Sequence, residues 1–152
     1  MSYNVLKDEG VSAVCEAIQS NKETKLASLN FKKNGIGPIG ANAVAAMVAV
    51  TGALTVTNLL GNQLDAESAK LLAEVAKQKG ISLCGIQRDQ TTADFSNQYL
   101  EPPDAILLAS DLSQAVVTGA LTVCVLWGNM GPEGDALIHD AVRGKAGFEL
   151  RL

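Results

Sequence analysis

The chain is short of aromatic residues, of charge and of histidine. Of its 152 residues 4% are aromatic and 18% are charged, against about 25% charged in an average soluble domain, and there is one histidine and one tryptophan. His139 is far in sequence from every cysteine, so the spacing of a zinc ligand set is missing and it reads as an ordinary surface or helix-end residue. Cys15, Cys84 and Cys124 are odd in number, widely spaced and without a C-x-x-C, which excludes a disulfide framework and is the usage of a reducing compartment. The opening "MSYNVLKDEG" reaches charge without an apolar core, and no apolar run of about 18 residues follows. The expectation is a cytoplasmic protein, or an organellar one after removal of a transit peptide, neither secreted nor membrane-spanning. A net charge of −4, a pI near 4.9 and no basic cluster longer than Lys32-Lys33 also make nucleic acid an unsuitable partner.

What is present is repetition. "VTGALTV" occurs at Val50 to Val56 and again, unchanged, at Val117 to Val123. Extended C-terminally, both copies enter an L-x-x-L-x-L-x-x-N pattern, as "LTVTNLLGNQLDAESA" from Leu54 and "LTVCVLWGNMGPEGDA" from Leu121. "LASLNFKKNGIGPIGANA" fits the template best, with Leu26, Leu29, Phe31, Asn34 and Ile36 at its fixed positions. A degenerate copy starts at Gln90, where Ala93, Phe95, Gln98 and Leu100 take the apolar and amide places.

Each pattern is followed by a segment of helical period. Ile39, Ala43, Ala46, Met47 and Val50 recur at spacings of three and four, as do Ala69, Leu72, Val75 and Ala76 behind an Asp65 N-cap. "PPDAILLASDLSQAVVTG" and "GPEGDALIHDAVRG" supply the other two. Thr51-Gly52 and Thr118-Gly119 are read as helix ends with glycine in the left-handed region, so the heptapeptide joins a helix end to a strand start. Asn34, Asn62 and Asn129 stand where the backbone leaves the strand, where an amide satisfies backbone groups of the adjacent unit. One strand with one helix cannot bury its apolar face, so such units must stack. Residues 1–25 read as a leading half-unit whose helix turns Val11, Val14, Cys15 and Ile18 inward, units start near residues 26, 54, 90 and 121, and residues 148–152 read as a closing strand. At this length the expectation is a single domain, 1–152, within the usual range of about 100 to 200 residues.

The motifs resemble the leucine-rich repeat family, in its ribonuclease-inhibitor-like class, whose signature runs L-x-x-L-x-L-x-x-N and then I-G-x-x-G-A before a full helix. "LASLNFKKNGIGPIGANAVAAMV" and "VLWGNMGPEGDALIHDAV" carry the likeness, which covers about residues 9 to 152. Similar repeats occur in NOD-like receptors and in short leucine-rich proteins of algae and protists. The resemblance implies an α/β right-handed solenoid, a horseshoe segment with a parallel β-sheet on its concave face, α-helices on its convex face and about four repeats plus a leading helix. It also implies a non-enzymatic role, either binding or scaffolding a protein partner or sitting as a subunit in a larger assembly; some relatives instead regulate a GTPase or other enzyme. The chain departs from the pattern where Thr57 and Cys124 replace the second leucine, where Gln98 replaces the asparagine, and between Lys77 and Gln90, where the unit runs about eight residues longer than a regular one.

Other chemistry has little footing. "GIGPIG" and "GPEG" lack the G-K-[ST] of a phosphate loop, so no cofactor or metal is expected. Glu67, Asp89, Asp94, Asp104 and Asp111 are scattered and read as a solvated face. Cys84, in the irregular "ISLCGIQRD", is the one candidate nucleophile for a thiol-dependent alternative. The stronger lead is the set of variable positions that alternate out of the strands. Two residues after each start stand Ser28, Val56, Thr92 and Val123; four after, Asn30, Asn58, Asp94 and Val125; six after, Lys32, Leu60, Ser96 and Trp127. Trp127, Val125, Val123, Leu60, Asn58, Asp94 and Lys32 form the candidate partner-binding face, anchored by the lone tryptophan unless the C-terminal segment covers it.

Overall fold

A computed structural model describes residues 5–128 and 130–152. The chain begins with helix α1 (Lys7–Ser20) and then alternates short strands with helices: β1 (Ser28–Asn30), α2 (Pro38–Val50), β2 (Val56–Asn58), α3 (Ala66–Lys79), β3 (Thr92–Asp94), α4 (Pro102–Leu112), the single turn α5 (Ala115–Thr118), β4 (Val123–Val125), α6 (Gly131–Val142) and β5 (Glu149–Arg151). The fold is α/β with parallel strands. Each long helix packs on the next, α1 on α2, α2 on α3, α3 on α4 and α4 on α6. A continuous buried cluster holds the inward residues of helices and strands alike, from Val11 and Cys15 at one end to Cys124, Leu126 and Ile138 at the other. Among the described residues no helix is long and apolar enough to cross a membrane.

Capping explains where the helices start and stop. The Asp65 carboxylate accepts the Ser68 N–H at 2.8 Å to open α3, and Gly80, at φ 68°, closes it. α4 opens on Pro102 with a reciprocal Glu101/Asp104 capping box. α2 starts on a neighbour's side chain: Asp8 of α1 accepts the N–H groups of Gly37 and Gly40 at 2.7 and 3.0 Å. A Cβ on Gly40 would stand 2.6 Å from that carboxylate oxygen, so the contact requires glycine. α2 ends otherwise than expected: Gly52 is not left-handed, and the Thr51 hydroxyl instead donates back to the Met47 carbonyl. Gly119 is right-handed as well, at φ −61°. The inward face of α2 is also different, because Val44, Ala45, Met47 and Val48 are buried while Ile39, Ala46 and Val50 are exposed. A helix that is apolar almost all round offers no polar stripe to select its buried side.

The turns carry an amide ladder. Asn62 accepts from the N–H groups of Asn34 and Ile36 at 2.9 and 3.1 Å, and donates to the carbonyls of Phe31 and Leu59 at 3.0 and 2.8 Å. One side chain thus ties a turn to the turn before it. Asn129 lies outside the described residues.

The strands do not form one sheet. Among the described residues β1 pairs with β2 alone, and β3, β4 and β5 form a second parallel sheet. The cause is the long span after α3. Ile81 to Ile86 runs along β2, where the Thr57 and Leu59 N–H groups donate to the carbonyls of Ser82 and Leu83, each at 2.9 Å. The edge that β3 would use is thereby occupied. Ile81, Leu83, Cys84 and Ile86 are all buried.

Asp111 holds this segment in place. The carboxylate lies on α4, fully buried, and accepts from Ser82 Oγ at 2.5 Å, Leu83 N at 2.7 Å and Cys84 N at 3.2 Å. Ser82 Oγ in turn accepts the N–H groups of Cys84 and Ile86. Asp104 is likewise buried, accepting from Gly61 N at 3.0 Å and Glu101 N at 2.9 Å. These two acids are internal ties and not members of a solvated face. Loss of water at Asp111 outweighs its donors and pushes its carboxyl up to about 7.

Truncation of Asp111 strands three buried donors, each worth about 1–3 kcal/mol when unsatisfied. Asp111→Ala is expected to lower the unfolding free energy by about 3 kcal/mol or more in urea titration. The native carboxyl also keeps its proton over a range, from about pH 4 to about 7, in which the unfolded chain has released it. The contribution of Asp111 to stability is therefore complete below about pH 4 and declines towards about pH 7. The stability difference between wild type and Asp111→Asn should fall over that window and flatten above it; a difference constant with pH would contradict the assignment.

Candidate functional site

The β3–β4–β5 sheet turns its alternate residues outward. In register, Thr92 lies beside Val123 and Val123 beside Glu149, while Asp94 lies beside Val125 and Val125 beside Arg151. The pairing continues one step further, where Asn97 N donates to the Trp127 carbonyl at 2.7 Å and sets Ser96 beside Trp127. The middle strand thus presents Val123, Val125 and Trp127 in a column between two polar columns. Val123 and Val125 are half-buried, and Trp127 is 54% exposed. The closing strand β5 is in place and leaves the indole uncovered.

The polar columns are electrostatically distinct. Asp94 accepts from Ser96 Oγ at 2.6 Å and Ser96 N at 2.9 Å, and these donors hold its carboxyl below the ordinary range. Across the column, Arg151 Nε donates to Glu149 at 2.6 Å, which holds the glutamate down and the guanidinium up. Asp94 has no such cation: among the described residues no lysine or arginine forms an ion pair with it.

Of the seven candidate residues, four come together: Val123, Val125, Trp127 and Asp94. The other three stand on the far side of the interruption. Leu60 does not face solvent at all and is fully buried in the core. Asn58 is half-buried, with its side chain so close to Gly85 that a Cβ there would stand 2.8 Å from the amide nitrogen. Lys32 reaches past the turn after β2 to the turn after β3, its Nζ donating to Gln98 Oε1 at 2.5 Å. A template that assumes even strand spacing makes one face of these positions, and Ile81 to Ile86 breaks it. Glu149 and Arg151 complete the face from the other side. The alternation in "FELRL" could have revealed them, since it marks Phe148 and Leu150 as inward and the two charges as outward.

The thiol alternative loses its geometry. Cys84 is buried, and desolvation with the nearby Asp111 charge pushes its thiol well above the ordinary range. Cys15 and Cys124 are raised by burial to about 11 and about 12. His139 is exposed, and no group of three or more histidine, cysteine or acidic residues converges to hold a metal among the described residues. A groove of about 460 Å³ lies on the helical side between α3, α4 and α6, lined by Ala73, Ile106, Ala109, Leu137 and Ala141. A scan against protein-family models finds no match to the chain, and a search of curated proteins finds none either.

All three thiols are expected to resist iodoacetamide at neutral pH in the folded protein and to react together in urea, as read by mass spectrometry. Selective labelling of Cys84 in the native state would restore it as a nucleophile.

Proposed function

We propose that the chain is a leucine-rich repeat solenoid of the ribonuclease-inhibitor-like class, acting without catalysis as a binding or scaffold module for a protein partner. The signatures at Leu26, Leu54 and Leu121, the packing of each helix on its neighbour and the Asn62 ladder support the solenoid. In this reading the interruption at Ile81 to Ile86 is an inserted strand without a helix of its own. The sheets line the concave side and the helices the convex side.

The observation that carries the binding role is the exposed Trp127 in line with Val123 and Val125. Exposing an indole to water costs free energy, and burial of its apolar surface by a partner recovers about 25 cal/mol per Å². Tryptophan is also enriched among the few residues that dominate binding energy. The rim of charged and hydroxyl side chains around an apolar centre matches the anatomy of a non-obligate interface.

The reading is tested by capturing partners from a lysate with wild type, Trp127→Ala and Leu137→Glu, the last placing a charge in the helical groove. Trp127→Ala is expected to lose the partner, with affinity reduced on the order of 30-fold, while Leu137→Glu retains it. The opposite pattern would move the interface to the helices.

A further inference from the structure

The face described above carries a carboxylate, Asp94, that forms no ion pair among the described residues. Asp94 is exposed and is oriented by Ser96, which donates to the same Oδ1 from its hydroxyl and its backbone N–H. Among the described residues neither a lysine Nζ nor a guanidinium forms an ion pair with Asp94 at its second oxygen. Arg151, across the face, is already committed to Glu149, and the Lys32 ammonium donates to Gln98. Trp127 stands one step along from Val125, the direct neighbour of Asp94. With strands about 4.8 Å apart and alternate residues about 6.6 Å apart, the backbones of Asp94 and Trp127 are about 8 Å apart on the diagonal. One long side chain spans that distance.

Resting on the binding reading, we propose that this face takes a cationic side chain with an apolar stem, an arginine or lysine of a partner polypeptide, laid over Trp127 and Val125 with its charged head at Asp94. The stem covers the apolar column and the head finds both a π face and a carboxylate. A cation over an indole gains from the ring quadrupole, and a guanidinium also fits a carboxylate edge. An anionic group in the same place would meet Asp94, with the net charge of −4 behind it. Charge complementarity therefore selects a basic segment over an acidic one.

Trp127 is the only tryptophan, so tryptophan emission, excited beyond the tyrosine band, reports on this face. The probes are three octapeptides in which alanine alternates with arginine, with its neutral isostere citrulline, or with glutamate. The arginine peptide is expected to produce a saturable change in emission that weakens as salt is raised. The citrulline peptide should bind about tenfold more weakly and the glutamate peptide not at all. Asp94→Asn, at an exposed position whose fold is checked by circular dichroism, should weaken the arginine peptide about threefold or more. Equal binding of the arginine and citrulline peptides, or an unchanged affinity in Asp94→Asn, would overturn the cationic assignment while leaving a binding face. Silence from all three peptides would overturn it too; the capture experiment with Trp127→Ala then decides separately whether the face binds a partner.

Discussion

The arrangement of the molecule depends on one buried carboxylate, Asp111 of α4, and the three donors it satisfies on residues 82–84. The segment they belong to has no helix of its own, so its backbone groups have no regular partners on the side facing the helices. A carboxylate can accept several donors at once, where an apolar residue at the same position would leave them unpaired in the core. With Asp111 in place, Ile81 to Ile86 runs along β2 and contributes Ile81, Leu83, Cys84 and Ile86 to the core. The same contact closes the edge of β2, and the sheet divides there.

Acids and amides recur wherever one unit must be held to the next. Asp8 caps the start of α2, Asp104 joins the start of α4 to Gly61, and Asn62 bridges two turns. Short strands of three residues have few ladder hydrogen bonds, so polar side chains take over the satisfaction of the backbone at the turns. Apolar burial between adjacent helices supplies the non-directional part of the stability, and these polar ties set the register.

Division of the sheet also decides what the surface can offer. Leu60, which evenly spaced strands would place at the same outward position as Trp127, is in the core, and Lys32 is engaged with Gln98. The apolar column runs from Val123 and Val125 of β4 to Trp127 just beyond it, between the Asp94 and Glu149–Arg151 columns. In the proposed binding role this yields a compact face with an anchor, a carboxylate and a neutralised ion pair. A long uniform groove would have no such distinct points of recognition.

The sequence by itself determined the elements. Alternating strand and helix, the caps at Asp65 and Pro102, the inward faces of α1 and α3 and the closing strand near residue 150 are all legible, because each follows from local period and capping chemistry, while the parallel sense is implied by the family resemblance alone. Asp94, Val123, Val125 and Trp127 are legible as outward positions for the same reason. Only the tertiary structure decided which face of the uniformly apolar α2 turns inward, that Asp104 and Asp111 are buried, and that Leu60 and Cys84 leave the surface. These outcomes depend on where Ile81 to Ile86 goes, and that segment carries no period to reveal its destination. An acidic residue reads as solvated until the backbone donors that surround it are known, and the donors to Asp111 come from residues almost thirty positions away.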